Sequence, residues 1–213
     1  MIPDLRLEGL LRAHVVPGTF IAGIDEAGVG AWAGPIVVGV VALHETLEYW
    51  HQYLRDSKQL TPARRLELAE VIVRRAALWQ VRLSSSEEVD ALGVATARAL
   101  AVARAWVELR QLPVVAIVDG RALRKQLTFL PKESLYTDKA DQKSCSVAAA
   151  SILAKVARDA FMGELQHQFP GYNWAGHKGY GTRGHRQELE ELGPCEEHRK
   201  TFAPIRTLTQ NRS

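Results

Sequence analysis

Two apolar runs separated by a glycine-rich turn form the clearest pattern in the N-terminal half of the chain. They lie between Ile21 and Leu43, in IAGIDEAGVGAWAGPIVVGVVAL, and Asp25 and Glu26 stand just before the turn. Short apolar runs are typical of buried strands, and glycines between two such runs are typical of a turn. The segment is therefore predicted to form two strands that display a pair of carboxylates at the edge of a sheet.

The pattern after these strands alternates between helices and strands. Residues 1–19 are predicted to be a partly helical lead-in, and Thr61 with Pro62 forms a cap signal for a helix through about Ala77. The predicted buried face of that helix is Leu66, Ala69, Val73 and Ala76. Further predicted elements are a strand over Leu78 to Leu83, one helix from Ser84–Ser86 to Leu109, a buried strand over Val114 to Val118, an edge strand over Ser134 to Thr137, a long helix over Val147 to Phe161 and a helix over Arg183 to Leu192. The last fifteen or so residues show no regular pattern.

Two further acids stand at the ends of predicted elements. Asp119 follows the buried strand, at the position where open α/β sheets bind their ligands, and Asp141 lies just ahead of the long helix. If the strand before Asp25 lies beside the strand before Asp119, these carboxylates converge. Converging carboxylates repel one another unless cations neutralise them, so convergence would imply a metal site for phosphoryl transfer. The alternative from the residues alone is that these acids act as turn and cap residues.

Composition and charge narrow the class of protein. The chain has 213 residues, 46% hydrophobic and 24% charged, which is typical of one globular domain and not of a disordered or membrane protein. A net charge of +3 is compatible with a polyanionic partner. The charged N-terminus argues against a secretory leader, and Cys145 and Cys195 lack the spacing of a zinc site or a disulfide framework. We expect a cytoplasmic monomer that does not bind membranes.

Six ordered motifs point to a known family. They are IAGIDEAGVGAWAGPIVVGVVAL, DSKQLTPARR, VDGR, DQKSCSVAAASILAKVARD, HKGYGT and EEHRKTF. Together they resemble bacterial ribonuclease HII, the type 2 RNase H family, from about Phe20 to Arg206. The resemblance implies an α/β RNase H-like fold, with a mixed five-stranded sheet flanked by helices and a C-terminal helical extension. It implies one catalytic domain over 1–213, with a core over about 20–165 and a substrate-contacting extension over about 166–213.

The resemblance also implies an activity. Members of this family hydrolyse the RNA strand of RNA–DNA hybrids and incise 5′ of single ribonucleotides embedded in duplex DNA, a step of ribonucleotide excision repair. They use Mg²⁺ or Mn²⁺ in a two-metal site and leave a 3′-hydroxyl and a 5′-phosphate. By motif, the ligands and catalytic residues would be Asp25, Glu26, Asp119 and Asp141. Asp138 is the alternative to Asp141, which we prefer because of its distance from the long helix.

Substrate contacts are implied by three of the motifs. Tyr180 in HKGYGT matches a tyrosine that stacks on the sugar 3′ of the ribonucleotide, and Lys58 in DSK resembles a phosphate-contacting lysine. In the turn Gly28-Val29-Gly30 the backbone would contact the 2′-hydroxyl. Val29 departs from the family, which has Arg or Lys there. Loss of that charge-assisted phosphate contact would cost roughly 1–3 kcal/mol and weaken the preference for a junction.

Two other functions remain as alternatives. A weakened or binding-only homologue would hold RNA–DNA hybrids without cleaving them, and a DNA-directed nuclease could share the fold. We favour activity because a pure binder gains nothing from negative charge where a phosphate must approach. His177, His185 and His198 receive no role, and Arg199 and Lys200 are interpreted as solvated surface charges.

Overall fold

A mixed five-stranded sheet forms the centre of the molecule. The computed structural model describes residues 2–46 and 48–210. Its strands are β1 (Phe20–Ala27), β2 (Ile36–Ala42), β3 (Leu78–Ser84), β4 (Val114–Asp119) and β5 (Leu135–Thr137), arranged in the order β3-β2-β1-β4-β5. β2 pairs antiparallel with both β1 and β3, whereas β1, β4 and β5 run parallel. This sheet and its flanking helices confirm the predicted fold class.

Eight α-helices surround this sheet in the described residues. They are α1 (Arg6–Arg12), α2 (Pro62–Arg75), α3 (Ser86–Leu92), α4 (Val94–Val107), α5 (Cys145–Gln168), α6 (Trp174–His177), α7 (Arg183–Leu192) and α8 (Ala203–Gln210). None of the helices in the described ranges is long and apolar enough to cross a membrane. The domain predicted over 1–213 includes residues 1, 47 and 211–213, which lie outside the described residues.

The two faces of the sheet are covered by different helices. On one face Ile24 and Val118 pack in a cluster with Ala101 and Trp106 of α4. On the other face α5 and α2 pack against the sheet in a second cluster. Because both faces are buried, the strands need continuous apolar sequence, which is the pattern in β2 and β4.

Helix α5 lies unusually close to the two central strands. A Cβ atom on Gly23 would lie 2.2 Å from the Ser146 carbonyl carbon, and one on Gly39 would lie 2.3 Å from the Ala150 carbonyl oxygen. Real Cβ atoms do not approach so closely, so these two positions require glycine. The close contact fixes the start of α5, and the turn that carries Asp141, relative to the end of β1.

The predicted buried face of the helix after Thr61 is wrong by about one position. Thr61 caps α2 as predicted, since its side chain accepts a hydrogen bond from the Arg64 N–H. However, Leu66 and Val73 are exposed, and the residues of α2 that are buried are Arg65, Leu68, Ala69 and Ile72. The Arg65 guanidinium donates to the carbonyls of Ser57 and Leu60 in the preceding turn, so the buried face of α2 includes this charged residue.

Two predictions about helix boundaries also need correction. The single helix predicted from Ser84–Ser86 to Leu109 is divided into α3 and α4 by Gly93, which has a φ of +76°. A left-handed residue cannot continue an α-helix, and glycine adopts that conformation without steric cost. The C-terminal segment predicted to be irregular contains α8, whose Ile205 is fully buried. Ile205 and Leu208 of α8 pack within the apolar cluster of the C-terminal extension and not against the sheet.

The C-terminal extension has an apolar cluster of its own. Ala33 and Met162 pack there with Trp174, Leu189 and Ile205. The cluster joins the loop after β1 to the second half of α5 and to helices α6, α7 and α8. The extension is therefore attached to the loop that follows Asp25 and Glu26. The division into a catalytic core and a substrate-contacting extension remains a prediction.

Candidate active site

The register of two parallel strands brings the first acids together. Ile24 of β1 pairs with Val118 of β4, so Asp25 and Asp119 follow at the same edge of neighbouring strands. Glu26 comes next on β1, and strand alternation directs it to the opposite face from Asp25. The two carboxylates of the Asp–Glu pair therefore have different surroundings.

Asp25 is buried on the α5 side of the sheet. Its side chain is only 6% exposed, and its Oδ1 accepts a hydrogen bond of 2.8 Å from the Glu26 N–H. Burial raises the pKa of Asp25 well above its usual range, and the negative charges of Glu26 and Asp119 raise it further. The Ser151 hydroxyl opposes part of this increase by hydrogen bonding.

Glu26 faces α4 and is paired there with Arg98. The Arg98 guanidinium lies 2.5 Å from Glu26 Oε1 and donates to the Asp119 backbone carbonyl at 3.3 Å. Burial raises the pKa of Glu26, Arg98 opposes that increase, and Asp119 adds to it. Sequence reasoning missed Arg98. The signal for it was one of two arginines, Arg98 and Arg104, within an alanine-rich helix.

The turn before α5 brings Asp141 to Asp119. The N–H of Ala140 donates a 2.9 Å hydrogen bond to Asp119 Oδ1, which ties this turn to the end of β4. Asp141 is 5% exposed, and burial together with the charges of Asp56 and Asp119 raises its pKa to about 6. Asp138, the alternative, is exposed and lies 3.8 Å from Arg121 in an ion pair.

The donor set fits a hard divalent cation, although its side chains are not arranged as a closed ligand set. All the donors are carboxylate oxygens, which Mg²⁺ and Mn²⁺ prefer, and Asp119 raises the pKa of Asp25, Glu26 and Asp141. A cation would relieve that mutual repulsion. No group of three or more His, Cys, Asp or Glu side chains within residues 2–46 and 48–210 could hold a metal ion as it stands. Asp25, Glu26 and Asp119 hold protein groups instead.

A cavity of about 480 Å³ opens beside the acids. It contains every residue that the sequence predicted to contact substrate, together with Glu26. Its lining is Glu26, Ala27, Gly28, Val29, Gly30, Ser57, Lys58, Ser151, Lys155 and Tyr180. Metal-binding and phosphate-binding candidates therefore share one cavity.

Lys58 stands where the cavity meets the acids. It lies in a 3-10 turn capped by Asp56, whose Oδ1 accepts a 2.9 Å hydrogen bond from the Lys58 N–H. Burial alone would lower the pKa of Lys58, but the nearby carboxylates of Asp56, Asp25 and Asp141 raise it. The ammonium group is therefore held in its charged form close to the acidic cluster.

The glycine-rich turn is held from behind by Arg158. Its guanidinium donates to the backbone carbonyls of Pro35 at 3.0 Å, Ala33 at 3.1 Å and Lys178 at 2.9 Å. Gly28 has a φ of +93°, and a Cβ atom there would lie 2.0 Å from Arg158 Nε. Gly28 is thus required both by its backbone conformation and by this arginine.

The interpretation of Arg199 as a solvated charge is wrong. Arg199 is fully buried, and its guanidinium donates to the carbonyls of Gly34 and Val29 at 2.8 to 3.0 Å. Burial and the positive charge of Arg158 lower the pKa of Arg199 to about 10. Backbone carbonyls of a neighbouring loop accept its hydrogen bonds and so allow this cation to be buried. The sequence does not show that these carbonyls lie beside Arg199. Lys200 is exposed, as interpreted.

Val29 directs its side chain into an apolar cluster. It packs there against Ile36, Val89 and Ala97, with Phe202 nearby. Its backbone carbonyl accepts the Arg199 bond, so the turn is anchored through the main chain. The side chain that replaces the family's basic residue therefore contributes packing instead of charge.

Three histidines link the Tyr180 loop to other parts of the C-terminal extension. The Cys195 N–H donates to His198 Nδ1, so the proton of His198 is on Nε2, which lies 3.0 Å from His185 Nε2. His185 then carries its proton on Nδ1 and donates it to the Tyr180 carbonyl at 3.0 Å. Burial lowers the pKa of His185 to about 4 and that of His198 to about 3, which matches two neutral rings. His177 stacks on His185 and bonds to Glu188.

Comparisons of sequence identify relatives over most of the chain. A sequence profile described as Ribonuclease HII matches residues 22–205. The ribonuclease HII of Thermus thermophilus is 48% identical over 188 residues, covering 88% of this chain and 88% of that protein. The ribonuclease HII of Paracoccus denitrificans is 42% identical over 207 residues, covering 97% and 94%.

Solved structures share the fold. The ribonuclease H2 from Pyrococcus horikoshii superposes with a TM-score of 0.70 at 26% identity, covering 90% of this chain and 97% of that chain. The ribonuclease HII in the PCNA:RNase HII complex from Archaeoglobus fulgidus gives 0.70 at 30% identity, covering 88% and 96%. A Bst-RNase HIII in complex with Mn²⁺ gives 0.70 at 21% identity, covering 94% and 72%, and shows the fold alone.

Sequence and fold lead to the same family. The predicted RNase H-like fold is confirmed by these structures, and the profile covers the residues from β1 to α8. The relatives are similar over nearly their full length, so the similarity concerns the whole domain. The chain therefore belongs to the ribonuclease HII family of type 2 ribonucleases H, endonucleases that hydrolyse the RNA strand of RNA–DNA hybrids.

Proposed function

We propose that the protein also incises duplex DNA 5′ of a single embedded ribonucleotide and leaves a 3′-hydroxyl and a 5′-phosphate. The observation that carries this proposal is the cavity that Glu26 lines together with the Gly28–Gly30 turn, Lys58 and Tyr180. A single ribonucleotide differs from its neighbours in one hydroxyl group and in sugar pucker. A site that reads it therefore needs backbone donors and a flat ring close to the reacting phosphate.

In this proposal Asp25, Glu26, Asp119 and Asp141 hold two Mg²⁺ or Mn²⁺ ions. Bound ions of this kind supply an activated water and stabilise the leaving oxygen in phosphodiester hydrolysis. Asp141 is preferred over Asp138 because it is buried beside Asp119, whereas Asp138 is exposed. Arg98 orients Glu26 through their ion pair, and the Glu26 N–H orients Asp25.

The substrate is positioned by groups on the opposite side of the cavity. The N–H groups of the Gly28–Gly30 turn contact the 2′-hydroxyl, and Tyr180 stacks on the neighbouring sugar. Arg199 fixes the turn by binding the Val29 carbonyl, which leaves the amides of the turn available. Arg158 holds the segment behind the turn by binding the carbonyls of Ala33 and Pro35. Lys58 neutralises a phosphate close to the acids. Recognition in this arrangement depends on sugar and backbone and not on base sequence.

We further propose that the protein acts as a monomer on nucleic acid in the cytoplasm, in ribonucleotide excision repair. The name of the Archaeoglobus fulgidus structure gives PCNA as a partner of that relative. A sliding clamp is accordingly a candidate partner here. Size-exclusion chromatography with light scattering, with and without a DNA duplex, would test the monomer.

The alternative is a weakened or binding-only homologue, and the apolar packing of Val29 is the observation that favours it. The test is cleavage of a labelled DNA duplex with one ribonucleotide, beside an RNA–DNA hybrid and an all-DNA duplex, with Mg²⁺ or Mn²⁺. We expect incision 5′ of the ribonucleotide, its loss in Asp119→Asn and its retention in Asp138→Asn. Cleavage of the hybrid alone would reject junction incision, and binding without any cleavage would favour the alternative.

A further inference from the structure

The cavity contains a second lysine that no motif singled out. Lys155 of α5 lines it beside Tyr180, and its Nζ lies 5.9 Å from the centre of the Tyr180 ring. One helical turn further on, Asp159 accepts a 2.6 Å hydrogen bond from that Nζ. An ammonium group has three N–H donors, and this is the one hydrogen bond that the described residues give it.

Positive charge exceeds negative charge around Asp159. The Asp159 carboxylate also lies 3.8 Å from Arg65, and its backbone carbonyl accepts a 3.1 Å hydrogen bond from Lys178. Burial lowers the pKa of Lys178, and the positive charges of Lys155, Arg158 and Arg65 lower it further, against the opposing effect of Asp159. Three cationic side chains therefore surround one carboxylate at the edge of a cavity, so the site can accept another anion.

This basic side of the cavity is separate from Lys58. The Lys58 ammonium is influenced by the carboxylates of Asp56, Asp25 and Asp141 and, to a smaller extent, by Tyr180, so its charge is balanced by the acidic cluster. Lys155 lies instead at the Tyr180 side of the same cavity. A strand whose reacting phosphate is at the acids and whose sugar is against Tyr180 would bring a further phosphate to Lys155.

We propose that Lys155 binds a backbone phosphate of the nucleic-acid strand beside Tyr180, with Asp159 as the positioning residue that aims its ammonium group. This site rests on the proposed function, because it assumes that the strand runs through the cavity. Lys155 keeps one N–H on Asp159 and directs its others to the phosphate oxygens. Lys178 and Arg65 make the surroundings positive without direct contact.

The test is binding without cleavage. Anisotropy of a fluorescently labelled RNA–DNA hybrid is measured in EDTA over a series of salt concentrations, for wild type, Lys155→Gln and Lys155→Arg. Lys132→Gln is the matched control, because Lys132 is exposed and precedes the start of β5, whereas Asp119 pairs with Thr137 at the other end of that strand. Each phosphate neutralised by a lysine contributes about 1 to the slope of log affinity against log salt.

We expect Lys155→Gln to lower the magnitude of that slope by about 1 and the affinity by about tenfold at moderate salt, while Lys155→Arg and Lys132→Gln keep the wild-type slope. We also expect Asp159→Asn to keep the slope and to bind the hybrid at least as tightly as wild type. A wild-type slope in Lys155→Gln would overturn the proposal, even if thermal melting showed a loss of stability. Because no cleavage is measured, a protein that fails to incise at junctions could still pass this test.

Discussion

The guanidinium of Arg98 lies 2.5 Å from the carboxylate of Glu26. Within the described residues this is the ion pair that involves a proposed metal ligand. Arg98 also binds the Asp119 backbone carbonyl, so one side chain of α4 is linked to both strand ends. Arg98 thus sets the charge and the position of Glu26 before any metal ion binds.

Replacement of Arg98 should shift the pH dependence of cleavage. In Arg98→Met the Glu26 carboxylate would stay buried beside Asp25 and Asp119 without its cation, so its pKa would rise. Because an ionised Glu26 is needed, the acidic limb of the pH–rate profile should move to higher pH. Activity on an RNA–DNA hybrid at neutral pH should fall by roughly tenfold, about 1.4 kcal/mol. Arg98→Lys should retain most of the profile, and an unchanged profile in Arg98→Met would contradict this role.

Asp141 should make the metal-free protein less stable as pH rises. Its pKa is raised from 3.8 to about 6 in the folded state, so the folded state binds that proton more tightly than the unfolded state. The contribution of this group to stability is therefore present below 3.8 and is lost as pH rises to about 6. In Asp141→Asn, the melting temperature in EDTA should vary less across this interval.

The exposed Asp138 supplies the control for that experiment. Asp138→Asn should keep the wild-type dependence of melting temperature on pH, because Asp138 lies in solvent beside Arg121. Addition of Mg²⁺ should flatten the wild-type dependence, since a cation favours the ionised carboxylates. If the melting temperature in EDTA varied equally little with pH in Asp138→Asn and in Asp141→Asn, Asp141 would not be the group responsible.

A basic residue at position 29 should increase the preference for a junction. In Val29→Arg the new charge can reach a phosphate next to the turn, which is worth about 1–3 kcal/mol, while the lost packing against Ile36 and Val89 costs about 1 kcal/mol. The measured quantity is the ratio of cleavage at a single ribonucleotide to cleavage of the hybrid. It should rise about tenfold, with no such rise in the uncharged Val29→Gln. The same rise in both variants would show that length, and not charge, matters.

The histidine pair should control the position of Tyr180. In His198→Phe, Nε2 of His185 no longer accepts a hydrogen bond from His198. The tautomer of His185 that donates to the Tyr180 carbonyl is then no longer fixed. Unfolding free energy should fall by about 1–3 kcal/mol, and KM for the hybrid should rise more than kcat falls. Nitrogen NMR of the wild type should show His185 protonated at Nδ1 and His198 at Nε2. The opposite tautomers would contradict the assignment.

The lead-in helix should stabilise the start of α5 through Glu8. Glu8 is buried, and its Oε1 accepts hydrogen bonds from the Ser144 hydroxyl at 2.6 Å and from the Ser146 N–H at 3.0 Å. A carboxylate there also meets the positive end of the helix. Glu8→Ala should lower the free energy of unfolding in urea by about 2–3 kcal/mol. Glu45→Ala, at an exposed position, is the control, and it should lower the free energy of unfolding by no more than about 0.5 kcal/mol. An equally small decrease in Glu8→Ala would contradict the role of Glu8.

Much of the fold could be read from local patterns. β1, β2 and β4 follow from apolar runs, α2 from a threonine cap with proline, and α7 from its periodicity. These signals are local, because a strand buried on both faces needs continuous apolar sequence and a helix end needs a partner for its free N–H groups. The break at Gly93 was missed because a glycine within a helical pattern does not reveal its φ angle.

The sequence by itself determined the family, the order of the strands along the chain and the candidate acids. Only the tertiary structure decided which distant partners two of these acids have, namely Arg98 for Glu26 and the Ala140 N–H for Asp119. It also decided that Arg199 is buried while Leu66 is exposed. Burial and pairing depend on residues that are distant in sequence and meet only when the chain is packed, so no local pattern can encode them.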